Sequence, residues 1–214
     1  MKKQEIQRTV YQKRSQLALK ALKENGFEVY YADNSREALD KVMSLISKDD
    51  KVGIGGTCTV REVGIEDALR KRGNTIYAHW GDLTKEEKVK QRKLALNSDV
   101  YLSSSNAITL KGQLVNIDGT GNRVASMVFG PTKSIIVAGA NKIVDNIEEG
   151  FARIRTIASP LNATRQNLNT PCRTIGKCTN CNTPDNMCRV SVVVEKNPKG
   201  IDMIIILVGE NLGY

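Results

Sequence analysis

The sequence predicts an α/β fold, a mostly parallel sheet with helices on both faces, and three observations predict it. Segments of helical periodicity alternate with short β-type runs along most of the 214 residues, which is the signature of strand–helix–strand units. The run "SIIVAGA" (Ser134–Ala140) is continuously apolar, as a strand covered on both faces must be. In "GIGGTCTVRE" (Gly53–Glu62) a strand runs into glycines and then a helix start, a loop typical of the carboxyl edge of such sheets.

The elements follow in order. Lys2–Asn25 has helical periodicity, with Ile6, Val10, Leu17, Ala21 and Leu22 as its apolar stripe and Gly26 as its stop. "FEVYYA" is a strand. Ser35 is the expected cap of a helix whose apolar face is Leu39, Val42, Met43 and Ile46. "KVGIGG" is a strand. Thr59 and Glu62 have capping-box spacing for a helix ending near Gly73, and Thr84 and Glu87 repeat it for one ending near Leu96. "TIYAHW" is the strand between them. "DVYLSSS" and "GQLVNIDG" are strands around a turn at Lys111–Gly112. Val144–Ala158 is a helix stopped before Pro160. "VSVVVEK" and "DMIIILVG" are strands separated by a turn at Asn197–Gly200. The whole of 1–214 is expected to be one domain. Residues 163–189 form a cysteine-rich, metal-binding segment within it, and Ala163–Pro184 shows no periodicity.

Composition narrows the function classes. The chain is 40% apolar and 26% charged, close to the globular average. No apolar run reaches the roughly 18 residues of a membrane-spanning helix, and no apolar stretch follows the charged N-terminus as in a signal peptide. The expected setting is therefore the cytoplasm, where thiols stay reduced. Net charge is +9, from 32 basic and 23 acidic residues. Few aromatics interleave with the basic residues, which argues against a single-stranded nucleic-acid platform and leaves an acidic small ligand as the better use of the charge.

Two loops have the chemistry of an anion site. The glycines of Gly55-Gly56-Thr57-Cys58-Thr59 allow backbone N–H groups to approach a ligand at a helix start. The loop is neither a Walker A sequence nor a dinucleotide fingerprint. The segment Ser103–Pro131 supplies Asn106, Asp118, Gly119, Gly121, Asn122 and Arg123 at strand ends and turns, a set suited to a carboxylate, phosphate or small polyol. Lys142, in "GANK", ends the next strand on the same edge. Cys58 near a helix start reads as a packed filler or as a nucleophile. His79 is the only histidine and has no triad partner by spacing.

Four of the five cysteines, Cys172, Cys178, Cys181 and Cys188, fall in C-x5-C-x2-C-x6-C spacing. Four thiolates satisfy a [4Fe–4S] cluster or tetrahedral zinc. The spacing is neither the ferredoxin run nor a zinc ribbon, so the residues alone leave both open, beside disulfides or free thiols. A metal would order the aperiodic segment.

"GIGGTCTVREVGI", "NAITLKGQLVNIDGTGNRV", "PCRTIGKCTNC" and "LVGENLGY" together resemble the lactate-utilisation (LUD) domain family, in a stand-alone form with a C-terminal four-cysteine motif. The resemblance spans nearly the whole chain. It implies a fold similar to the sugar-phosphate isomerases and CoA transferases, with ligands lying across strand ends. It also implies organic-acid, lactate-type metabolism beside oxidoreductase subunits. This favours the iron–sulfur assignment over zinc, an electron-transfer role and a redox partner protein. The expected glutamate of CoA transferases has no match here. Alternatives are a non-catalytic sensor or assembly protein with structural zinc, and an isomerase-like enzyme acting on phosphorylated sugars.

Overall fold

Six strands run parallel in one sheet, and the sequence alternation within them divides the core in two. The computed structural model describes residues 3–214; Lys2, where the first helix was expected to start, lies outside them. The sheet comprises β1 (Glu28–Ala32), β2 (Val52–Ile54), β3 (Ile76–Ala78), β4 (Val100–Ser103), β7 (Lys133–Gly139) and β10 (Asp202–Val208), in the order β1-β10-β7-β4-β2-β3. Pairing is parallel throughout, with Ile204 opposite Ile135 and Leu102 opposite Ile135 from either side. Ile135, Val137, Ile204 and Ile206 face one core with α2 (Ser35–Leu45), α3 (Cys58–Glu62) and α4 (Ile65–Arg72). Ile136, Ala138, Ile205 and Leu207 face the other with α1 (Lys3–Glu24), α5 (Lys85–Leu96) and α6 (Asn122–Val128). This is the period-2 geometry of a strand, buried on both sides, and it bears out the predicted architecture.

A second sheet was not predicted. β5 (Ala107–Thr109) and β6 (Leu114–Asp118) form an antiparallel hairpin, flanked by β8 (Ile143–Val144) and β9 (Val190–Val194). Its outer face packs with Ile154 under α7 (Ile147–Arg153). The last two strands of the chain thus lie in different sheets. The turn at Asn197–Gly200 carries the chain between sheets.

Several local expectations are corrected. Gly26 does end α1, with φ 85°, and Leu22 is buried as expected, but Ile6, Val10 and Leu17 are exposed and the helix buries Ser15 and Ala18 instead. Asn34, not Ser35, caps α2 by accepting from the Glu37 N–H at 3.0 Å; Ser35 donates its hydroxyl to Glu210 at 2.5 Å. Thr57, not Thr59, caps α3, and Gly64 in the left-handed region separates α3 from α4. Thr84 and Glu87 do form the predicted capping box. The helix of α7 does not stop before Pro160. A π-turn over Ile154–Ala158 leads into α8 (Ser159–Arg165), with Pro160 in its first turn. The widened coil there accommodates a ring that would clash with the carbonyl four residues back in a regular α-helix.

Candidate anion site at the carboxyl edge

The carboxyl ends of the parallel strands open into a cavity of about 740 Å³, within the range of small-molecule sites. Gly56, Thr57, Thr59, Asn106, Asp118, Gly119, Asn122, Arg123 and Lys142 line it, nine of the eleven ligand residues expected from the sequence. Gly55 and Gly121 stand behind the wall. The Gly55 N–H is bonded to the Leu102 carbonyl at 2.9 Å, and the Gly121 N–H to Asp118 at 2.9 Å. A Cβ on Gly55 would lie 2.8 Å from the Tyr101 hydroxyl oxygen, so this glycine serves close packing.

Arg123 and Asp118 build the floor. The Arg123 guanidinium donates to Asn116 Oδ1 at 2.7 Å, Ile117 O at 2.9 Å, Asn106 Oδ1 at 3.0 Å and Ser104 O at 3.1 Å. Its Nε lies 3.7 Å from Asp118. Its donors are therefore largely consumed within the protein, and its side chain is only 12% exposed. Asp118 also accepts from the N–H groups of Thr120, Gly121 and Val124. Burial alone would raise its pKa, but Arg123 and these N–H groups outweigh that and hold it below the ordinary carboxylate value. This floor is neutral as a pair.

The other cationic groups of the wall carry no such compensation. Arg61, Lys88, Arg92 and Arg165 line the cavity along with Lys142, and among the described residues the only acidic side chain on the lining is Asp118. Arg61 lies over Trp80 at 5.2 Å and reaches the Cys58 sulfur at 3.7 Å. The Arg92 Nε is buried without a hydrogen-bond partner among the described residues. Such an orphan is costly unless a ligand or water meets it. The His79 imidazole is pushed down to about 4, first by desolvation and then by Arg92, so it is neutral at physiological pH. Tyr214 lines the opposite side and is pushed up to about 12, by desolvation first and then by its bond to Cys58.

Lys142 ends a one-turn 3-10 segment after β7. It is 4% exposed, and its Nζ donates to Thr59 Oγ1 at 2.9 Å and Ser104 Oγ at 3.0 Å. Desolvation, then Arg153 and Arg123, bring it down to about 7.

Arg92 was missed in the sequence because it lies on a basic helix that reads as solvated surface; Arg61 and Arg165 were missed because nothing local in the short helices α3 and α8 marks their single arginines as facing a site. Tyr214 was missed because only the tail's course across the sheet edge brings it there: Gly213 N–H donates to Glu62 at 2.6 Å, and Leu212 N–H to Asn141 at 3.2 Å.

The cysteine segment adjoins this cavity. It is less irregular than expected, since α8 runs to Arg165 and α9 (Pro171–Ile175) carries Cys172. All five cysteines are free thiols. Among the described residues, no three Cys, His, Asp or Glu side chains converge on a common metal position. The four thiols are nonetheless electrostatic neighbours. Although Cys188 is exposed as a residue, its thiol is pushed up by desolvation first, then by Cys178, Cys172 and Cys181, with its Ser159 bond opposing. Each sulfur has a polar neighbour outside the set: Ser159 Oγ at 3.3 Å from Cys188, Thr170 Oγ1 at 3.4 Å from Cys172, the Asn180 N–H at 3.4 Å from Cys178, and Asn186 Nδ2 at 3.7 Å from Cys181. Ser159 and Met187, which flank Cys188 in space and in sequence, both line the cavity.

A crystal structure of a DUF162 family protein from Deinococcus radiodurans is similar to this chain in fold, at TM-score 0.54 and 13% identity, covering 92% of this chain and 97% of that one. No curated protein matches the chain. The model of the LUD domain matches residues 15–208, the span that includes both sheets, nearly all of the cavity wall and the four-cysteine segment, and the chain therefore belongs to the LUD domain family.

Proposed function

We propose that this LUD-domain protein binds a small anionic metabolite in the strand-end cavity and carries a metal centre on Cys172, Cys178, Cys181 and Cys188. The observation that carries the first part is the lining itself: cations, Arg92 among them, without carboxylate partners among the described residues. An anion supplies the counter-charge. The family link to lactate utilisation makes an organic acid the first candidate. The implied likeness to sugar-phosphate isomerases makes a phosphorylated sugar the second.

The four thiols suit a soft metal centre. N–H groups directed at the Cys178 and Cys181 sulfurs, and hydroxyls beside those of Cys188 and Cys172, are the kind of outer partner that stabilises metal-bound thiolates, and Asn180, at φ 52°, lies between Cys178 and Cys181 with its N–H on the Cys178 sulfur. A [4Fe–4S] cluster, favoured by the redox setting of the family, would supply one-electron transfer to a bound acid and to a redox partner protein. Zinc would supply only the order of the loop. A cytoplasmic, reducing setting suits either.

A thermal-shift panel tests the anion site. Pyruvate, lactate and ribose 5-phosphate are compared with neutral isosteres of similar size. Ligand at a hundredfold over its Kd stabilises by about 2.7 kcal/mol. The reading requires that anions raise the melting temperature and neutral isosteres do not; equal shifts, or none, would refute it. Iron, sulfide and zinc analysis of anaerobically purified protein tests the centre, and a metal-free protein with the segment folded would refute it.

A further inference from the structure

Among the described residues Lys142 is the only buried lysine, and it has no acidic side chain within ion-pair distance. A buried ammonium with that surrounding is unfavourable. Arg153 and Arg123 add like charge, and the opposing influences, Glu62 and Cys58, are weaker. Each neighbouring hydroxyl has another acceptor in reach. Thr59 directs its hydrogen to the Leu212 carbonyl at 3.5 Å, and Ser104 to the Ser105 carbonyl at 3.3 Å. Both oxygens therefore accept from Nζ. A neutral amine has two N–H bonds, which these two acceptors fill, and one lone pair left over. An ammonium would have a third N–H with no acceptor here.

An uncharged amine with its lone pair free, in a cavity lined by cations, is arranged as a nucleophile toward a carbonyl carried by an anion. We infer that Lys142 adds through Nζ to the carbonyl carbon of an anionic carbonyl compound, a 2-oxo acid or a sugar phosphate, and forms an imine with it. The inference rests on the anion-binding reading above. The lone pair forms the C–N bond while the carbonyl π electrons move to oxygen. That oxygen takes up the proton released from nitrogen, giving a carbinolamine; a second proton, taken from solvent water in the cavity, lets it leave as water while the nitrogen lone pair forms the second C–N bond, and the nitrogen keeps its remaining hydrogen as the protonated imine. No oxidant or reductant is consumed. The carboxylate or phosphate of the ligand provides the counter-charge for the protonated imine, which the protein itself does not supply next to Lys142.

Reductive trapping tests this. The wild-type protein is incubated with pyruvate, ribose 5-phosphate or acetone in the presence of cyanoborohydride, and adducts are located by peptide mass mapping. The same samples without reductant are titrated calorimetrically. The expected result is one adduct per chain on Lys142 with pyruvate or with ribose 5-phosphate, the productive arm naming the ligand class, and its loss in Lys142→Met. Mapping on the wild type keeps the result independent of whether that variant folds. Calorimetric binding with no adduct at Lys142, or adducts spread evenly over surface lysines, overturns the inference and leaves the anion site standing. Acetone trapped on Lys142 as efficiently as pyruvate supports the reactive amine and contradicts the anion reading. Neither binding nor trapping overturns both.

Discussion

Arg123 is the residue on which the cavity floor depends. Its guanidinium meets Asn106, Asn116, Ser104 and Ile117, and it is the charge partner of a largely buried Asp118. Arg123→Ala would leave these acceptors bare and the carboxylate unpaired, and should cost about 3–5 kcal/mol in denaturant unfolding. Arg123→Lys should recover little of it, because a point charge cannot replace a planar fork. Lys142 makes a different prediction, on pH. Its pKa is about 7 folded, below its ordinary unfolded value. Between those two values the unfolded chain holds a proton that the folded chain has released, so stability should rise with pH across that window. The groups bearing on it are Arg153, Arg123, Glu62 and Cys58. Lys142→Met should flatten the rise; an unchanged profile in urea melts would mean that the buried amine keeps its proton. Both residues were legible in the sequence as polar groups at strand ends. Their division of labour was not, since only the three-dimensional acceptors around Arg123 show that its donors are spent.

Elements were legible where their signals are local. The capping box of Thr84 and Glu87 was correctly placed because both partners lie within one turn. Thr59 has the same spacing to Glu62, but its hydroxyl is drawn away to Leu212 and Lys142, and Thr57 takes the cap. Pro160 would end a regular helix, but a π-turn before it lets the helix continue. The helix α6 went unpredicted because its seven residues follow two glycines and display less than two turns of periodicity. Gly112 shows how tightly elements meet. Its φ is 74°, and a Cβ there would lie 2.5 Å from the backbone carbon of Ala21 in α1. Gly112→Ala should therefore lose at least about 2 kcal/mol, from backbone strain and overpacking together. Chemical denaturation checks it, and a neutral substitution would mean that α1 and the hairpin are free to separate.

At the scale of the whole molecule, the parallel sheet could be foreseen and the second sheet could not. Alternating helix and strand patterns determine the first. The second is assembled from short strands far apart in the chain, and no local pattern states that β9 pairs with β6 instead of β10. The cavity is likewise a product of topology, joining the Gly56 loop, α5, the α8 region and the tail at Tyr214. The thiol segment shares its wall through Ser159 and Met187, so a metal bound there should couple to the anion site. Removing it with a chelator should loosen residues 163–189 and weaken anion binding together, since metal binding and folding are linked. Protease nicking within that segment, measured with and without the anion, reads the coupling; nicking that ignores the anion would separate the two sites.

The carboxyl-edge cavity is proposed as an anion site. Calorimetric titration of the wild type and of Arg92→Ala with pyruvate and with ribose 5-phosphate, at low and high salt, tests it most directly. One site per chain is predicted, weakened by salt, and Arg92→Ala should cost about 1.5–3 kcal/mol of binding, the worth of a charge-assisted hydrogen bond. Binding that is indifferent to salt and to Arg92, or its absence with both ligands, would contradict the claim.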